Sequence, residues 1–281
     1  DMAKDSQLAA FALTDAEAAG NDFAALVKAA ADGRKIGPVL DDLILAWARI
    51  GEGSMADALK EFDTVAEMRG MEAIGLYHKA LALALAGDYE GAEAILSGQV
   101  AGPINLNRRG VIARVQILSQ LERNPDAIAF LQQSFGDANE PTVAALRTRL
   151  EAGEPIPFDI VTSPRSGIAE AFHTIATVLT GEADPTYVLL HSRIANHLDA
   201  SNIEAILLTA KALEDLGQHD LAGETYALVP KESPIFYTAE IGRSDALYAA
   251  GNKDAAIEVL QSLTRSLPDL IVAHSSLADT L

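Results

Sequence analysis

Gly217, Ala222 and Pro234 return as Gly251, Ala256 and Pro268, each 34 positions further on, while nearly everything between them changes. Small residues and turns recurring at a period of about 20 to 50 residues restrict a chain to serially stacked units, because a unit of that size cannot bury its own apolar face. The same phase appears elsewhere. Ala58, Ala92, Ala222 and Ala256 each follow a glycine by five residues: Gly53, Gly87, Gly217 and Gly251. Weaker anchors stand at Ala127 and Thr186, with another at Ala25 near the N-terminus. Four residues beyond each anchor from Ala58 to Ala256 comes a large apolar residue: Phe62, Leu96, Leu131, Leu190, Tyr226 or Leu260. Residues i and i+4 share one helical face. The small member lets two antiparallel helices approach, the large one fills the space beside their crossing, and the glycine ends the preceding helix at positive φ. The predicted unit is a helix hairpin.

Composition agrees with helices. Aromatic residues make up 5 % of a chain that is 49 % hydrophobic, and the predominance of Ala and Leu suits close helix packing more than a sheet. The expected class is all-α, with 281 residues sufficient for one large domain or two ordinary ones. A formal charge of -19, with no long run of Lys or Arg, argues against nucleic acid and anionic membrane surfaces as partners. Its ordinary use is to keep a large open surface in solution. Without cysteine there are no disulfides, thiolate catalysis or Cys-ligated zinc, and both redox compartments stay open. The longest apolar stretch, AIGLYHKALALALAG, is interrupted by His78 and Lys79 and falls short of the ~18–20 residues of a span. No membrane insertion is expected, and the chain reads as soluble, periplasmic or cytoplasmic. Its opening, DMAKDS, lacks the charged and apolar regions of a leader, which suggests a removed leader or a piece cut from something longer.

A 34-residue helix-turn-helix with small residues at its eighth and twentieth positions and a closing Pro resembles the tetratricopeptide repeat. The eighth positions are Ala46, Ala80, Val115, Thr174, Ala210 and Ser244. The resemblance is good over 39–100 and 203–268 and weaker over 108–140 and 167–201. The family's early Trp and central Tyr are largely absent, and Pro closes only the last two repeats. It implies an α-α superhelix of stacked hairpins, here part of a longer bacterial array, whose first helices line a concave groove. Carried over by position, the groove would contain Leu43, Trp47, Tyr77, Leu81, Arg109, Ile112, Gln116 and Gln120, then Leu207, Lys211, Glu214 and Tyr248. Of these, Trp47, Tyr77, Arg109, Gln116, Gln120, Lys211 and Tyr248 are the candidates for holding a protein or peptide partner. The fifth positions, Leu43, Tyr77, Ile112, Ala171, Leu207 and Ile241, cannot clamp a terminal carboxylate as the best-known family groove does. Trp47 also reads as a packing residue between repeats.

The repeats divide into an N-terminal set, 1–152, an irregular connection, 153–166, and a C-terminal set, 167–281, whose last member is incomplete. In EAGEPIPFDIVTSPRSG, residues 151–167, the prolines Pro155, Pro157 and Pro164 forbid continuous helix. A hinge and an ordered loop packed on the helices are both compatible, although Ile156, Phe158, Ile160 and Val161 argue against a free linker. The terminal DLIVAHSSLADTL is half a hairpin and leaves an apolar face for another repeat, another chain or self-association.

No catalytic signature emerges, and no metal or cofactor is expected. The six histidines are scattered, and His191 and His197 on one helix would point about 240° apart. The carboxylates at Asp41–Asp42, Glu90 with Glu93, and Glu214–Asp215 read as solvated helix faces. There is no G-x-S-x-G, P-loop or G-x-G-x-x-G motif, and Ser166 in TSPRSG reads as a helix cap before an anion site. A non-enzymatic interaction scaffold is expected. The alternatives are a helical regulatory or substrate-presenting part of a longer enzyme, and a self-association module.

Overall fold

The computed structural model describes residues 6–100, 102–136 and 141–281. Among them all regular structure is helical. In chain order the helices are α1 (Gln7–Ala19), α2 (Phe23–Ala31), α3 (Pro38–Gly51), α4 (Met55–Glu67), α5 (Glu72–Leu85), α6 (Tyr89–Leu96), α7 (Arg108–Gln120) and α8 (Asn124–Phe135). There follow α9 (Pro141–Glu151), α10 (Pro164–Leu179), α11 (Pro185–Leu198), α12 (Ile203–Asp215), α13 (His219–Tyr226), α14 (Phe236–Ala249), α15 (Lys253–Ser266) and α16 (Ile271–Thr280).

The chain forms two compact units: Asp1–Thr174 with His197–Asp199, and Ile175–Asn196 with Ala200–Leu281. In the first unit each helix from α2 to α8 packs on the next, and α3, α5 and α7 also touch in turn. In the second, α12 to α16 pack in the same serial order, with α14 touching both α12 and α16. Neighbour-on-neighbour contact with alternate helices side by side is what stacked hairpins produce.

The repeat anchors explain this packing. Ala58, Ala92, Ala127, Ala222 and Ala256 are fully buried, as are Ala46, Ala80, Val115, Ala210 and Ser244 on the preceding helices. Their large companions Phe62, Leu131 and Leu260 are also fully buried, so the small-large pairing closes the space at these crossings, whereas the weaker anchors differ: Thr186 is exposed, and Ala25 and Leu190 are half-buried. Gly53, Gly87, Gly217 and Gly251 adopt φ between 69° and 87°, ending the helices before them. Two hairpins reach this conformation without glycine: Asn21 (φ 56°) turns α1 into α2, and Glu122 (φ 59°) stands five residues before Ala127. At Gly75 the approach of α5 to α4 is so close that a Cβ would strike the backbone of Phe62 and Ala66.

The prolines of 151–167 act in two ways. After α9 and Gly153 (φ 76°), residues 154–163 have no regular secondary structure. Pro164 then opens α10, where its missing N–H is of no consequence. Ser163 and Ser166 close that helix start reciprocally: the Ser166 N–H donates to Ser163 Oγ (3.1 Å) and the Ser163 N–H to Ser166 Oγ (2.9 Å). The sequence TSPRSG is thus a capping box. The predicted connection, 153–166, lies wholly inside the first unit, and the division between units falls within α10.

Candidate functional site

Residues 154–163 form a strap packed against α7 of the first unit. Ile156, Ile160 and Val161 are buried, with Ile156 joining a core that includes Val115, Leu118, Leu131 and Leu150. The polar side chains of α7 meet the strap's backbone and the Asp159 carboxylate. Gln116 Nε2 donates to Asp159 Oδ1 (2.6 Å), and its Oε1 accepts from the Asp159 N–H (3.1 Å). Gln120 Nε2 donates to the Ile156 carbonyl (2.7 Å), and the Ile156 N–H donates to Ser119 Oγ (2.9 Å). Arg109 Nη2 donates to the Ile160 carbonyl (3.2 Å). Primary amides supply a donor and an acceptor from one group, so Gln116 meets both the backbone N–H and the carboxylate of Asp159.

Beyond the strap, α10 supplies the rest of the seam. Glu170, whose side chain is 1 % exposed, accepts from Arg109 Nε (2.6 Å) and from the Tyr77 hydroxyl (2.8 Å). Burial alone would raise the Glu170 carboxyl, but the Arg109 guanidinium, with His173 assisting, outweighs it and holds the group below its usual value. Trp47 is fully buried, and its Nε1 donates to His78 Nδ1 (3.2 Å). His78 therefore carries its proton on Nε2, which donates to Thr174 Oγ1 (3.2 Å). Desolvation pushes His78 down to about 4 against the pull of Glu170, consistent with a ring that must remain neutral to accept from the indole. At the start of α10, a Cβ on Gly167 would fall into the Trp47 ring.

The first unit thus brings Trp47, Tyr77, Arg109, Gln116 and Gln120 onto one seam, and that seam is filled by residues 156–174 of the same chain. Lys211 and Tyr248 lie in the second unit with partners of their own. Lys211 Nζ pairs with Asp215 (3.1 Å) and Glu214 (3.3 Å), which raises its pKa, the Asp215 hydrogen bond contributing most. Tyr248 is 51 % exposed, with Lys253 Nζ 5.9 Å from its ring centroid. Sequence reasoning missed His78, Ser119, Asp159 and Glu170 as members of the seam. Only Arg109 hinted at one of them, since a guanidinium on a buried helix face requires an anion.

Three of the carboxylates read as solvated are withdrawn from water, among them Glu214, which accepts from the Tyr226 hydroxyl (3.3 Å). Glu93 is buried and receives Arg114 through bonds of 2.9 and 3.0 Å, and Arg114 lies over the Phe130 ring at 4.2 Å. Asp41 is withdrawn into the wall of a cleft of about 980 Å³ bounded by α1, the connection between α2 and α3, and α3 itself. Packing of the loop 32–37 over the start of α3 covers this aspartate, and no helical period reveals that. Among the described residues no three His, Asp or Glu side chains converge as a metal site requires, and no helix is long and apolar enough to cross a membrane. No protein-family model matches the chain, and no match was found among curated proteins.

Proposed function

We propose that this chain is a non-enzymatic interaction scaffold of the tetratricopeptide type, binding a protein partner through surfaces built by its hairpins. The observation that carries it is the seam itself: the amides of Gln116 and Gln120 and the guanidinium of Arg109 on α7 each bond one backbone group of a non-helical stretch of polypeptide. A surface that holds polypeptide by its backbone suits partner binding, and here one such surface is used in cis. Serial packing of α2–α8 and of α12–α16 supports the same reading, because stacked hairpins leave long continuous faces for contact.

The occupied seam changes how the scaffold must be tested. Replacing Trp47 by Ala would remove a fully buried indole at a cost of about 3–5 kcal/mol, so lost binding in that variant would report unfolding rather than a lost contact. A suitable experiment is photo-crosslinking in the source cell from probes at Lys211 and Tyr248, followed by reconstitution from purified components. The scaffold predicts a separate polypeptide that rebinds the purified chain. A catalytic domain in the same reading frame, crosslinked in place of a separate partner, would favour the regulatory-region alternative instead.

Self-association is the second reading. It is favoured by exposed Ile271 (80 %), Val272 (43 %) and Leu281 (72 %) on and beside α16. Sedimentation of the wild type and Ile271→Glu distinguishes them: a dimer abolished by the charge supports it, and a monomer throughout the micromolar range removes it.

A further inference from the structure

The cleft beside α3 has apolar walls from Ala10, Leu13, Ile36, Pro38 and Met68, and an acidic floor and rim from Asp41, Asp42 and Asp32. Its volume, about 980 Å³, is at the upper end of the range of about 300–1,000 Å³ occupied by small-molecule sites. Asp41 is the unusual member. Its side chain is 10 % exposed. Oδ1 accepts from the N–H groups of Ile36 (2.9 Å) and Gly37 (3.3 Å), whereas the buried Oδ2 accepts no hydrogen bond. One oxygen of this withdrawn carboxylate therefore lacks a hydrogen-bond donor, which a cationic group in the cleft would supply.

The cations already nearby do not meet that need. Lys35 Nζ stands 3.7 Å from Oδ2, beyond hydrogen-bond distance, on a side chain that is 70 % exposed. Arg34, also on the wall, has both guanidinium ends committed to Glu17. Asp32 shares an exposed pair with Lys28 at 3.5 Å. Burial raises the Asp42 carboxyl above its ordinary value, Lys35 opposing that rise and Asp41 adding to it by less.

From the cavity, its apolar walls and the orphan Oδ2, we infer that this cleft binds an ammonium or guanidinium group carried on an apolar stem. The cation displaces Lys35 and donates to Asp41 Oδ2, with Asp42 as the second counter-charge, while the stem lies against Leu13, Pro38 and Met68. A free amine and a lysine side chain on a partner segment share this chemistry.

Amide-resolved NMR titration of the full chain separates the sources. The probes are n-hexylamine, its uncharged counterpart n-hexanol, and the peptides acetyl-Leu-Lys-Leu-amide and acetyl-Leu-norleucine-Leu-amide. The Ile36 and Gly37 amides, which donate to Asp41, are the reporters. Saturable shifts there are expected with a charged probe, weaker by about tenfold or more with its uncharged counterpart and in Asp41→Asn, since one charge-assisted bond is lost. Asn retains an acceptor for both amides, and Asp42→Asn provides a second variant in case the first perturbs the loop. Shifts with hexylamine alone assign a free amine, and shifts with the lysine peptide alone assign a polypeptide. Equal binding of charged and uncharged probes, or no shift with either charged probe, overturns the inference whether or not a protein partner is found elsewhere on the chain.

Discussion

His78 links the seam to pH through one hydrogen bond. Its ring accepts from the Trp47 indole, so protonation would set two donors against each other in a dry site. The folded value is depressed to about 4 from an unfolded value of about 6.5, so the native state binds fewer protons than the unfolded chain between those limits. The corresponding stability is complete above pH ~6.5 and is lost as the pH falls toward 4, amounting to about 3 kcal/mol. Glu170, held below its usual value, adds a loss of the same sign below about pH 4.5. Urea unfolding at stepped pH should show this slope in the wild type, flattened between pH 6.5 and 4.5 in His78→Gln. Backbone conformation gives a second prediction at this scale. Gly53 (φ 85°) has open space around it, so Gly53→Ala should cost about 1–2 kcal/mol through left-handed strain alone. Glu122→Gly, at a similar φ, should range from neutral to about 1 kcal/mol stabilising, as read from urea midpoints.

Between the strap and its helices the decisive contacts are few and separable. Asp159 N–H is held by Gln116, whereas Ile156 N–H is held by Ser119. Hydrogen exchange in Gln116→Ala should therefore accelerate at Asp159 and change little at Ile156, and equal acceleration at both would mean that the strap opens as one piece. The Arg109–Glu170 pair allows a different test. Arg109→Met alone should cost about 3–5 kcal/mol because it strands a buried carboxylate, whereas Arg109→Met combined with Glu170→Leu should recover most of that loss. The legibility of the elements follows the same division between local and distant contacts. Ala58, Ala92, Ala222 and Ala256 were readable as hairpin anchors because each signal lies within one helix and its turn. The resemblance to the tetratricopeptide repeat gathers Tyr77, Arg109, Gln116 and Gln120 on one surface, but it does not give their occupant, because that comes from residues 156–174 and no local pattern pairs it with α5 or α7. Pro155 and Pro157 exclude helix without saying where a non-helical stretch will lie. Asp41 reads as solvated in the sequence for the related reason that the loop above it, and not its helical position, withdraws it from water.

At the scale of the whole molecule, a chain of net charge -19 forms two runs of serially packed helices, and the first run uses one face of α7 internally. An inner face filled by its own chain contributes to stability instead of waiting for a ligand. Partner contact by the proposed scaffold then falls to faces that remain exposed, or requires the strap to leave. The central claim is that residues 154–174 occupy the seam in solution. Because the chain contains a single tryptophan, nuclear Overhauser contact between the Trp47 indole ring and the Gly167 Hα protons reports it without ambiguity. Strong cross-peaks with Gly167 Hα shifted upfield by the ring are expected, and a Gly167 with ordinary shifts and no contact to the indole would contradict the account.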